Sequence, residues 1–138
     1  ALYMQIKKIV FEQHGDDRGQ LIALEECRNI PFEIKRVYYM YDTGEHVRRG
    51  FHAHKSLEQV LICVHGKCKI MLDDGVERTD VELDNPYEGL YVSNILWREM
   101  YDFSQDAVLM VLASDFYREE DYIRDYQEFL KFVGVKNN

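Results

Sequence analysis

Short runs of β-branched, aromatic and alternating apolar residues recur along almost the whole chain, and this rhythm limits the fold more than any single motif. The runs cover residues 21–24, 34–41, 57–64, 68–72, 81–83, 89–92, 97–103 and 108–113. Between them stand tight-turn signals: Asp17-Arg18-Gly19, Asp42-Thr43-Gly44, His65-Gly66, Asp73-Asp74-Gly75 and Asp84-Asn85-Pro86. Many short strands joined by tight turns build a β-sandwich or barrel. Only the end changes period. Tyr122, Tyr126, Phe129 and Val133 recur at four, three and four residues, behind Glu119, Glu120 and Asp121, which suit a helix N-terminus. A helix over 119–133 is expected, its aromatic stripe packed on the barrel or on a partner. A length of 138 residues, with no repeat or linker, fits a single domain over 1–138.

Charge narrows the partners. Seventeen Lys and Arg against 25 Asp and Glu leave a net charge of −8, which disfavours general attraction to nucleic acid or an anionic membrane. Any anionic ligand therefore needs a local arginine cluster. No run of eighteen apolar residues occurs, and the opening ALYMQIKKIVFEQ lacks the zones of a signal peptide, so the cytoplasm is the expected compartment. Cys27, Cys63 and Cys68 are odd in number and have no CxxC spacing; all three are read as reduced, buried thiols.

The stretch RGFHAHKSLEQVLICVHG, residues 49–66, carries the chemistry. On a strand His52 and His54 share a face, so both imidazoles can meet one small ligand. The frame of Gly50, His52, His54 and Gly66 resembles the first motif of the cupin superfamily. The position five beyond His54 is Gln59, however, where metal-binding cupins carry glutamate, and Glu58 faces the wrong way on a regular strand. In the segment matching the second cupin motif, residues 93–98, Arg98 replaces the fourth ligand, a histidine. A guanidinium has no lone pair to give a metal, and a neutral amide is a poorer ligand than a carboxylate. No metal and no cofactor is expected. A pair of core histidines satisfied by hydrogen bonds is the bland alternative; proton transfer is the reading that suits a side chain titrating near neutrality.

The joined set IPFEIKRVYY, RGFHAHK and VLASDFYREEDYIRDY, within a match over about nine-tenths of the chain, resembles the sugar 3,4-ketoisomerases acting on dTDP-4-oxo-6-deoxyglucose. The resemblance implies a metal-free, all-β cupin-type jelly-roll barrel with a C-terminal helix. It also implies a homodimer that exchanges an N-terminal strand, and a place in the making of dTDP-3-amino-6-deoxyhexoses for surface glycans or antibiotics. His52 matches the family's catalytic base, and His54 stands where a neighbour polarises the sugar oxygens or relays the hydroxyl proton. Arg98 supplies positive charge near the enediolate. Arg36 and Tyr38 match positions lining the sugar pocket, Gln59 belongs to the same substrate-binding set, and Arg49 and Arg18 are candidates for the diphosphate or sugar. The residue at position 18 is arginine in galacto-forming members and tyrosine in gluco-forming ones. Position 98 is histidine in the former and arginine in the latter. The galacto product is favoured, because an arginine at 18 lacks a phenol's transferable proton. Two alternatives stand beside the isomerase: a sugar 3,5-epimerase-like cupin and a non-catalytic module that binds a sugar nucleotide.

Overall fold

A computed structural model describes residues 4–93 and 95–137; expectations touching residues 1–3, Asn94 and Asn138 lie outside it. Among the described residues twelve strands form, all paired antiparallel: β1 (Lys7–Val10), β2 (His14–Asp16), β3 (Gly19–Leu21), β4 (Arg36–Met40), β5 (Arg49–His54), β6 (Gln59–His65), β7 (Cys68–Asp73), β8 (Arg78–Leu83), β9 (Glu88–Val92), β10 (Trp97–Tyr101), β11 (Val108–Ala113) and β12 (Tyr122–Ile123). One sheet runs β1-β9-β6-β11-β4 and the other β12-β5-β10-β7-β8, while β2 and β3 make a separate two-stranded hairpin. The expected β-sandwich is present.

Strand β6 shows how sequence becomes layers. Leu61 and Cys63 face the core between the sheets with Ile70, Leu72, Leu90, Leu109 and Val111. Val60 and Ile62 face outward, where Phe11, Ile30 and Phe32 cover them. A strand covered on both faces reads as the unbroken apolar run VLIC rather than an alternation. The second sheet is covered likewise by α1 (Tyr126–Asn137), whose Phe129 packs with Ala53, Met71, Trp97 and Ile123. Fully burying one such side chain contributes about 1.5–3 kcal/mol.

Two expectations change. The helix begins at Tyr126, not at 119: Asp125 caps it, its Oδ1 accepting from the backbone N–H of Gln127 at 2.8 Å and of Glu128 at 3.3 Å. Glu119–Asp121 form one 3-10 turn, and Tyr122 and Ile123 pair with His54 and Ala53 on β5. Tyr122 therefore leaves the helix stripe and faces the histidines. Cys27 is exposed, because it sits at φ 58 in the tight turn after Glu25, whereas Cys63 and Cys68 are buried free thiols. Residues 65–67 cross between the sheets at Gly66, φ 69, rather than closing a hairpin.

Candidate active site

The histidines stand at a β-bulge. Along β5, His52 opposes Arg98 while Gly50 opposes the next residue of β10, Glu99, so Phe51 is the extra residue. Gly50 at φ 96 and Phe51 at φ 55 make the bulge, and Phe51 turns outward. A bulge also reverses the alternation on its N-terminal side. Arg49, which a regular strand would point away from His52, lines the same cleft of about 320 Å³ as His52, Arg36, Tyr38, Tyr122 and Arg124. A neighbouring cleft of about 310 Å³ is lined by His54 and shares Arg36 and Tyr122 with the first.

The two imidazoles lie edge to face with centroids 4.9 Å apart, and the Tyr122 ring is 5.1 Å from His52 and 4.3 Å from His54. His52 Nδ1 is 3.1 Å from the Gly50 carbonyl oxygen. A carbonyl only accepts, so Nδ1 carries the proton and Nε2 keeps its lone pair. Burial, and then the Arg98 charge, lower the His52 pKa to about 4, which keeps the ring neutral near pH 7. His54 donates from Nδ1 to Asp121 Oδ2 at 3.1 Å, and its Nε2 is buried without a partner among the described residues. That carboxylate favours a charged ring. Burial, followed by Arg98, His52, Arg36 and Arg124, outweighs it and lowers the pKa to about 2. Both histidines are thus neutral bases with defined tautomers.

Behind them lies a buried relay. Arg98, 2 % exposed, donates from Nη1 to Gln59 Oε1 and from Nη2 to the Leu96 carbonyl at 3.1 Å. Gln59 Nε2 donates to the Tyr38 hydroxyl at 3.0 Å. Gln59 is therefore set one layer behind the clefts, between Arg98 and Tyr38, rather than lining them. Arg98 acts on the histidines through its charge. A metal fits this arrangement poorly: one of the two remaining cupin ligand positions is a cation, and the other has its only donor oxygen engaged by that cation.

His52, His54, Arg36, Tyr38 and Arg49 are brought together; Arg18 is not. It sits on the β2–β3 hairpin, paired with Asp16 through Nη2 at 2.5 Å. The sequence reading missed Tyr122, Asp121 and Arg124. Arg124 lies over the Tyr122 ring, 4.2 Å from its centroid. Recognising Asp125 as the helix cap would have freed all three from the helix.

Residues 4–134 match the family described as FdtA: WxcM-like, C-terminal. The chain belongs to this family of sugar 3,4-ketoisomerases. The TDP-4-oxo-6-deoxy-alpha-D-glucose-3,4-oxoisomerase of Aneurinibacillus thermoaerophilus is 54% identical over 97% of this chain and 96% of its own. A 3,4-ketoisomerase from Helicobacter canadensis is 53% identical, with a TM-score of 0.93 over 96% of this chain and 99% of its own. The 3,4-ketoisomerase QdtA of Thermoanaerobacterium thermosaccharolyticum, solved as a variant in complex with TDP-4-keto-6-deoxyglucose, is 41% identical, with a TM-score of 0.94 over 98% of both chains. The cupin-type jelly roll expected from the sequence is the fold of a 3,4-ketoisomerase.

Proposed function

We propose that this 3,4-ketoisomerase converts dTDP-4-oxo-6-deoxy-D-glucose to the 3-oxo-6-deoxy isomer through an enediolate. The observation that carries the reading is His52, whose Nδ1–H is held by the Gly50 carbonyl and whose cleft is shared with three arginines, Arg36, Arg49 and Arg124. Nε2 takes the C3 proton, acidified by the C4 ketone, and negative charge builds on O4. The buried Arg98 charge stabilises that oxyanion without reorganising. The proton returns to C4, the O3 hydroxyl proton moves to O4, and the ketone is left at C3; in this reading His54 relays the hydroxyl proton through Nε2, whose lone pair is unengaged among the described residues. Arg36, Arg49 and Arg124 supply cationic forks for the diphosphate. The product feeds a 3-aminotransferase step in the cytoplasm.

His52 working alone takes and returns its proton on one face, which yields the galacto product. The gluco product needs a donor on the other face, and Tyr122, one of the two phenols lining the cleft with Tyr38, is the one assigned to supply it. Incubation with dTDP-4-oxo-6-deoxyglucose in deuterated water should move the carbonyl to C3 and place deuterium at C4. Label at C3 and C5 with the ketone unmoved would mean an epimerase, and an unlabelled sugar with the ketone still at C4 would mean a binding module. A ketone moved to C3 without label would mean that His52 returns the substrate's own proton. The product, trapped by reduction or by a 3-aminotransferase, should show a small H4 coupling. A large trans-diaxial coupling would replace galacto with gluco and leave the isomerase reading intact.

A further inference from the structure

We propose that Gln59 is a positioning residue whose amide holds Tyr38 as a hydrogen-bond donor toward the sugar oxygens. This rests on the ketoisomerase reading and deepens it. The amide orientation follows from its neighbours. Arg98 has five N–H donors and no acceptor, so the group that meets its Nη1 must be the amide oxygen. The Gln59 nitrogen is then the atom that meets the Tyr38 oxygen, at 3.0 Å. An NH₂ only donates, so the Tyr38 oxygen accepts and its own hydrogen is left for another partner.

That hydrogen has somewhere to go. Tyr38 lines the cleft of His52, and burial raises its phenol pKa, which keeps it protonated. The result is a one-way chain, Arg98 to Gln59 to Tyr38 to ligand, ending on an oxygen that gains negative charge when His52 takes the C3 proton. The same geometry gives a physical reason for an amide at this position. A carboxylate here would accept from Arg98 with one oxygen and from Tyr38 with the other, and the phenol's hydrogen would be spent inside the protein. Gln59, 1 % exposed, thus differs from glutamate in the direction of one hydrogen bond.

The test uses two substitutions and a cycle. Gln59→Glu reverses the Tyr38 bond and should lower kcat by about a hundredfold, the loss typical of removing one oxyanion donor, with KM within about threefold of the parent. Its melting temperature should not fall, since the carboxylate pairs with Arg98. Gln59→Met removes the amide but leaves the Arg98 charge, and should cost about tenfold in kcat. In a Tyr38→Phe background Gln59→Met should cost less than about twofold, because the group it positions is gone. A Gln59→Glu enzyme within about threefold of the parent kcat would overturn the inference. So would equal losses from Gln59→Met in the two backgrounds, the mark of a purely structural role. If the parent moves no carbonyl to C3, the ketoisomerase reading falls, and this inference with it. A parent that isomerises while the cycle is additive removes this inference alone.

Discussion

At the scale of single residues, the state of His52 sets the pH behaviour. A base with its pKa lowered to about 4 is still unprotonated where an ordinary histidine would be mostly charged. The dTDP-sugar diphosphate is a diester and does not titrate in this range. The kcat/KM at about pH 5.5 should therefore stay within about twofold of its value at about pH 7.5, whereas a base with the ordinary pKa of about 6.5 would lose about tenfold. His52→Asn should lower turnover by about a hundredfold to ten-thousandfold at either pH. Stability moves the other way. His52 and His54 bind more protons unfolded than folded, so the melting temperature should fall as pH drops below about 6.5. A tenfold fall in kcat/KM without loss of fold would show that the cleft does not depress the base. Exhaustive chelation should leave activity unchanged, because Gln59 and Arg98 are bonded to each other at two cupin ligand positions. Loss that zinc, iron or manganese restores would contradict this. The spacing of His52 and His54 and the identities at 59 and 98 were enough to point to proton chemistry. Tautomers were not legible, since they are set by the Gly50 carbonyl and by Asp121, whose side chain reaches His54 from 67 residues away in sequence.

At the scale of elements, the bulge in β5 carries the site. Gly50 has φ 96, and a Cβ there would lie 2.9 Å from the Arg98 carbonyl oxygen and 2.9 Å from Met100 Cε. Its own carbonyl fixes the His52 tautomer. Gly50→Ala should therefore reduce kcat by tenfold or more beyond any loss of folded protein, following the misplacement rule that about 1 Å can cost a hundredfold. Asp125→Ala is the contrasting variant. It removes the α1 cap and should cost about 1 kcal/mol of stability while leaving kcat within about twofold. Circular dichroism melts paired with kinetics separate the two, and a Gly50→Ala enzyme with parental kcat would dismiss the bulge. The strands built from long apolar runs, β6, β7 and β11, were legible because burial on both faces leaves an unmistakable signature. Strands β1 and β2 were not: KKIV and HGD carry no such signal and owe their state to pairing with β9 and β3. The bulge was invisible for a related reason, since an extra residue leaves the His52 and His54 spacing intact and changes only what lies before it.

At the scale of the whole molecule, one charge predicted for the site stands outside it. Arg18 lies on the β2–β3 hairpin, and an isolated two-stranded hairpin is marginal without a surface to pack on. Strand β4 ends its sheet, presents Val37 and Tyr39 to solvent, and carries Arg36 and Tyr38 into the cleft from its other face. A free edge beside a cleft and a hairpin without a sheet complement each other across two copies. We therefore expect a homodimer in which each hairpin delivers Arg18 to the other copy's cleft. Light scattering at micromolar concentration should give twice the chain mass. Mixing tests the delivery itself. His52→Asn has an intact Arg18 and a dead base, and Arg18→Ala has the reverse. A heterodimer of the two holds one cleft with a native His52 and the partner subunit's Arg18, so co-refolding equal amounts should restore about a quarter of parental activity, above either variant alone. If Arg18 serves the cleft of its own chain, no heterodimer contains a native site, and the mixture should show only the mean of the two variants. That outcome, or a fully active monomer, would return Arg18 to the surface.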